Sequence, residues 1–231
     1  MGAAARIAPT IHPLFMYIHA SCHIHDRRVT VDGQTRFESP TPDASATDFL
    51  ADAFRHTGID YRKFYKMDPL ARLGFLAAEL LLPPPADDEP LKEDMGIICF
   101  NSASSLAADR LYQRTIPAGD DFFPSPADFV YTLPNIVTGE IAIRHKIQGE
   151  TMFYVMPEFR AAEVCHIVNE TADDAGLRSA LVGWIDADTD RLDARVMLCD
   201  ATPSASGLAL NPEAISQLFP QLLINRLQWK N

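Results

Sequence analysis

The most constraining stretch of the chain is the run Thr151–Val155, TMFYV, together with residues 156–170. This run is apolar and β-prone, so it reads as a buried strand. Pro157 then stands where a first helical residue would stand, with Glu158 next. Residues 157–170 carry apolar side chains at Phe159, Ala162, Val164, Cys165 and Val168, close to helical spacing. A buried strand running into a helix N-terminus predicts an α/β arrangement. Such a junction is a common mount for a nucleophile, because the helix end stabilises negative charge. Here the junction residues are Met156, Pro157 and Glu158, none of them Ser, Cys or Thr.

Four further strands are predicted at residues 14–25, 95–100, 179–186 and 194–198, giving five in all. The last two would form a hairpin around an acidic turn at residues 188–193, which lacks the Gly and Glu of a calcium loop. The first carries His19, His23 and His25. These suit zinc by residue type, or they are ordinary strand and loop histidines. No fourth ligand lies nearby in sequence, so no metal is assigned.

Residues 27–48 are polar and broken by Gly33, Pro40 and Pro42, which suggests a hairpin or loop. Thr47 and Asp48 are read as capping a helix over residues 49–56 that Gly58 ends. Within residues 60–82, Leu70, Leu73, Gly74, Ala77, Ala78 and Leu81 predict a helix buried on a wide face.

Just before that helix stands a basic cluster, Arg62, Lys63 and Lys66, followed by Arg72. It is either a solvated face with local ion pairs or a docking patch for an acidic partner. The small polar residues 101–105 lead into a helix at 106–115, without the Gly-rich pattern of a phosphate loop. Residues 128–146 read as mostly helical, started or kinked near Pro134. Glu140 in this segment is an acid or base, or a helix-face charge pairing with Arg144. Residues 212–227 are read as a last amphipathic helix or helical pair around Pro220, with Trp229 expected to fold back on the body.

A length of 231 residues with 47% hydrophobic content suits one sizeable core. The formal net charge of -11 argues against binding nucleic acid or an anionic membrane surface. Cys22, Cys99, Cys165 and Cys199 are widely spaced with no CxxC pair, as expected of reduced core thiols in a cytoplasmic protein. No stretch reaches a membrane span, and no secretory signal or cofactor motif is evident.

Three segments resemble the β-ketoacyl synthases of the thiolase-like superfamily. FVYTLPNIVTGEIAIRHKIQGE is similar to the family's loop, helix through a central Gly (Gly139), and turn before the active-site strand. DYRKFYKMDPLARLGFLAAELLL resembles its basic helix entry and long buried helix, and MGIICFNSASSL the strand of the next βα unit. The resemblance covers roughly residues 17–199. It implies a three-layer α/β/α half of a thiolase-like fold with a mixed five-stranded sheet. Residues 1–231 would be one domain and 200–231 a C-terminal extension.

The family's catalytic Cys would fall at or beside Glu158, and its two later histidines lie in a second half that has no match here. The resemblance thus implies an acyltransferase homologue without condensing activity of its own. It matches carrier-protein contacts to Lys63 and Lys66, beside Arg62. Three readings are open. One is a non-catalytic subunit of fatty-acid, polyketide or aryl-polyene chain building, as a homodimer or paired with a full-length ketosynthase. Another is a stand-alone binding module for acyl carrier protein. The third is an acyl-thioester hydrolase using Glu140 or Glu158 as base.

Overall fold

The computed structural model describes residues 15–116, 124–188, 191–203 and 207–220. In chain order the elements begin with β1 (Tyr17–His25), β2 (Arg28–Val31), β3 (Gln34–Glu38) and α1 (Ala46–Thr57). A 3-10 turn, Arg62–Lys66, leads into α2 (Pro69–Leu81). Then come β4 (Met95–Asn101), α3 (Leu106–Arg114), α4 (Pro126–Val130), α5 (Ile136–His145), β5 (Thr151–Val155) and α6 (Ala161–Ala175). The chain closes with β6 (Ser179–Ala187), β7 (Leu192–Asp200), β8 (Leu208–Ala209) and α7 (Pro212–Leu218).

The strands form one mixed sheet ordered β3-β2-β1-β7-β6-β4-β5, with β8 pairing β1. β4, β5 and β6 are parallel; the other pairings are antiparallel. The sheet thus has eight strands among the described residues, not the five expected. The five apolar runs are β1, β4, β5, β6 and β7. The three further strands are short: β2 and β3 form a hairpin, one of the two readings of residues 27–48, and β3 and β8 are mostly exposed, so they carry little hydrophobic signal.

Helices cover both faces of the sheet. α1, α2 and α5 share a core with Ile24, Ile97, Leu181 and Val196. α6 and α7 share a second core with Ile98, Phe100, Val182 and Met197 on the opposite face. Strand alternation explains the split, since neighbours such as Ile97 and Ile98 point to opposite sides. α2 is buried on nearly every side, which its dense apolar spacing predicts.

Several boundaries differ from the sequence reading for local reasons. Ser45 caps α1, accepting from the Asp48 backbone N–H, and Thr47 lies inside the helix. Gly58 then ends it in the left-handed conformation, with φ 73°. The helical stretch around Pro134 is two helices, α4 and α5, with Pro134 in the turn between them.

α6 begins at Ala161 and not at Pro157. The Met156 N–H still donates to the Asn101 carbonyl at 2.8 Å, so sheet pairing runs past the end of β5 and delays the helix. At Gly149 a Cβ would lie 2.3 Å from the Met95 carbonyl oxygen, so only glycine lets the chain enter β5 beside β4. α7 ends at Leu218 with Phe219 as its cap, and residues 221–227 of the expected final helix, with Trp229, lie outside the described residues.

Candidate functional site

The carboxyl ends of parallel β4, β5 and β6 share one rim of the sheet with the start of β7 and the end of β1. In open α/β sheets this rim is where ligands bind. Strand register aligns two rows of side chains there, on the α6/α7 face. One row runs Tyr154, Phe100, Trp184, Arg195 and His23. The next, at the rim itself, runs Asp186, Asp193 and His25. The face therefore changes from apolar to charged as it approaches the rim.

Arg195 is 4% exposed, which a guanidinium tolerates only when paired. Its Nη2 donates to Asp193 Oδ2 at 2.6 Å, and its Cζ lies 5.6 Å from the centroid of Phe159. Phe159 in turn meets Trp184 edge-on at 5.5 Å. Asp186 accepts from the backbone N–H of Ser102 at 3.0 Å and from its hydroxyl at 2.9 Å. Burial pushes the Asp186 carboxyl up, and the two Ser102 bonds offset this only in part.

Burial also pushes the Asp193 carboxyl up. The facing His23 ring and the Arg195 and His25 charges outweigh that and hold it below the usual carboxylate range. His23 and His25 stack in parallel, with centroids 5.6 Å apart, and Phe219 of the C-terminal segment meets His23 edge-on. A register shift between Ile18 and Ala20 interrupts the strand beside His19, which hydrogen-bonds to the Thr202 carbonyl instead.

The segment between β5 and α6 leads directly onto this rim through Phe159. Glu158 is half exposed there and pairs with Arg160 Nε at 3.1 Å, before the helix begins. It is a surface ion pair and not a carboxylate on a helix end. No described cysteine supplies a thiolate. All four are free and buried, and burial pushes Cys165 up to about 11 and Cys99 up to about 12. Several donors of the small polar loop after β4 are occupied internally: Ser102 on Asp186, Ser104 N–H on the Asn101 side chain, and the Ser105 hydroxyl on the Thr132 carbonyl.

A second feature lies on the opposite face. The 3-10 turn exposes Arg62, Lys63 and Lys66 while burying Phe64. Lys63 Nζ reaches Glu140 Oε2 at 2.6 Å. The structure thus joins two residues that the sequence left separate, and Glu140 does not pair with Arg144. Arg144 instead binds Glu79. Glu140 is 6% exposed and also faces the Tyr131 hydroxyl at 3.5 Å. Burial and the nearby Glu140 push the Tyr131 phenol up to about 12, so it stays protonated beside the carboxylate.

Sequence reasoning missed Asp193, because residues 188–193 read as a turn, and it gave Arg195, inside the strand predicted at 194–198, no role. The available signal was two charges alternating with Ala194 and Val196 at the head of a strand.

No protein-family model matches the sequence, and no curated protein matches it. Solved structures do. The chain superposes with a TM-score of 0.59 and 14% identity on "The ishigamide ketosynthase/chain length factor", over 83% of this chain and 63% of that one. It also superposes on a chain of "Ketosynthase (ApeO) in Complex with its Chain Length Factor (ApeC) from Xenorhabdus doucetiae", with a TM-score of 0.54 and 13% identity. That match covers 90% of this chain and 92% of the other. This chain therefore spans less than two thirds of the first chain's length and nearly all of the second's. The mixed sheet, its flanking helices and these superpositions establish an α/β fold of the thiolase-like, ketosynthase type.

Proposed function

We propose that this chain is a non-catalytic, chain-length-factor-like partner of a full-length ketosynthase in polyketide or aryl-polyene-type chain building, within the cytoplasm. The observation that supports this best is the junction after β5. Condensation needs a nucleophile there, and the chain has Met156, Pro157 and an ion-paired Glu158. Among the described residues β5 is also the last strand of the sheet, with β4 on one side only.

Its sequence is apolar and Val155 is 55% exposed, an edge that normally needs a partner. Beside it, a cleft of about 450 Å³ between β5 and α6 is lined by Met152, Tyr154 and Ile167 and rimmed by Glu150, Glu170 and Asp174. Among the described residues no helix is long and apolar enough to cross a membrane. The proposed single domain of residues 1–231 includes the C-terminal extension, residues 200–231. Its described part supports a covering role, since Leu210, Ile215 and Phe219 are buried on the sheet.

The test is co-expression with a full-length ketosynthase from the same cell. Light scattering is expected to find a one-to-one complex that condenses acyl thioesters, while this chain alone is inactive. Val155→Glu, which puts charge on the exposed edge, is expected to weaken assembly at least about tenfold. Condensation by this chain alone, or no complex at all, overturns the reading.

We also assign Arg62, Lys63 and Lys66 to docking of acyl carrier protein. Their cluster in an acidic chain, on a turn held by Phe64, supports this. Lys63 already neutralises Glu140, so reversing its charge would confound binding with folding. Arg62→Glu together with Lys66→Glu avoids that. The pair is expected to weaken carrier binding several-fold and to make the remainder less salt-sensitive. Unchanged binding removes the assignment.

A further inference from the structure

We propose that His23, His25 and Asp193 form a binding site for a divalent transition-metal ion of the zinc class. One ligand atom from each of the three residues lies within 4.8 Å of the other two. His23 Nε2, His25 Nδ1 and Asp193 Oδ1 are all buried, and none has a hydrogen-bond partner. Buried polar atoms are nearly always satisfied, so three orphans converging on one point indicate a missing common partner. His23 Nε2 and Asp193 Oδ1 are 3.7 Å apart, close to the ~3.4 Å between ligand atoms in a tetrahedral zinc site.

The surroundings suit such a set. His25 Nε2 lies 3.0 Å from Asp26 Oδ2, so that carboxylate can hold the ring with Nδ1 turned inward. This is the carboxylate–histidine–metal arrangement that orients ligands in known sites. Asp193 Oδ2 is held by Arg195, which leaves Oδ1 directed at the histidines. The Arg195 charge opposes a cation, while the Asp193 and Asp186 carboxylates on neighbouring strands oppose that effect. Two imidazoles and a carboxylate favour zinc, cobalt or iron(II) over magnesium or calcium. Three protein ligands leave a fourth position open at the rim. Such a site stands on this geometry and is independent of the carrier-protein and ketosynthase assignments.

The experiment uses the full chain, stripped with a chelator and then titrated with Zn²⁺ by calorimetry and with Co²⁺ by visible absorption. One ion per chain is expected, with a rise in Tm and the absorption bands of low-symmetry cobalt. His25→Gln and His23→Gln are each expected to weaken binding at least about tenfold. His166→Gln, on the exposed face of α6, should leave it unchanged. Melting curves of the metal-free variants show whether each remains folded. The proposal is overturned by the absence of stoichiometric binding. It is equally overturned if a folded His23→Gln or His25→Gln binds as the parent does, since the ion would then sit on surface histidines.

Discussion

Glu79→Ala is expected to lower the unfolding free energy by about 3–5 kcal/mol, to be checked by urea denaturation. The Glu79 side chain is 1% exposed and lies 3.0 Å from His145 Nε2, whose own side chain is fully buried. It also accepts from Arg144, through Nε at 2.8 Å and Nη2 at 3.2 Å. Arg144 covers the ring of Tyr61 at 4.9 Å, and Tyr61 stacks on Phe75. One carboxylate thus ties α2 to the last turn of α5, and its removal leaves the buried His145 ring and the partly buried Arg144 guanidinium without their shared carboxylate.

The same network sets an acid limit on stability. Burial pushes the Glu79 carboxyl up, but His145 and Arg144 outweigh it and hold it below the ordinary 4.5. A carboxyl held low when folded contributes fully above its unfolded value and loses that contribution as pH falls through its folded value. Stability is therefore expected to drop below about pH 4.5, and Glu79→Gln should flatten that part of the profile. A cost below about 1 kcal/mol for Glu79→Ala would mean that water replaces the carboxylate.

Phe64→Ala is expected to cost a similar amount, about 3–5 kcal/mol. Phe64 is fully buried, with its ring stacked on Phe54 at 3.9 Å and Phe75 close by at 6.1 Å. It is the only buried residue of the turn that carries Arg62, Lys63 and Lys66. Its loss should release the basic turn as well as open a cavity, so carrier-protein binding is expected to fall although no charge is changed. Phe64→Leu, close in size and apolar, should cost less than about 1.5 kcal/mol and largely preserve binding. Equal binding by Phe64→Ala and the parent would separate the turn from the docking surface.

The architecture was legible where burial imposes a period. Strands β1, β4, β5, β6 and β7 and helices α2 and α6 all carry runs of apolar residues, and they fix the layered α/β class, although β5 lies at the sheet edge and is only partly buried. The short strands β2, β3 and β8 were not in that count: β2 and β3 fall where the sequence reads as a hairpin or loop, and β3 and β8 are mostly exposed, which leaves little apolar pattern to read. Helix ends shifted where one hydrogen bond decided them, as the Met156 bond to Asn101 does for α6.

The absence of a nucleophile at the β5 junction is plain from the sequence alone, since residue types do not depend on coordinates. Which charges meet does depend on them. Lys63 finds Glu140, Arg144 and His145 share Glu79, and His23 and His25 face Asp193 from the far end of the chain. Ion pairs and ligand sets are short-ranged, so they are set by strand register and helix packing between distant segments. Period and composition therefore determined the core of this protein, and only its tertiary structure decided how the buried charges are shared.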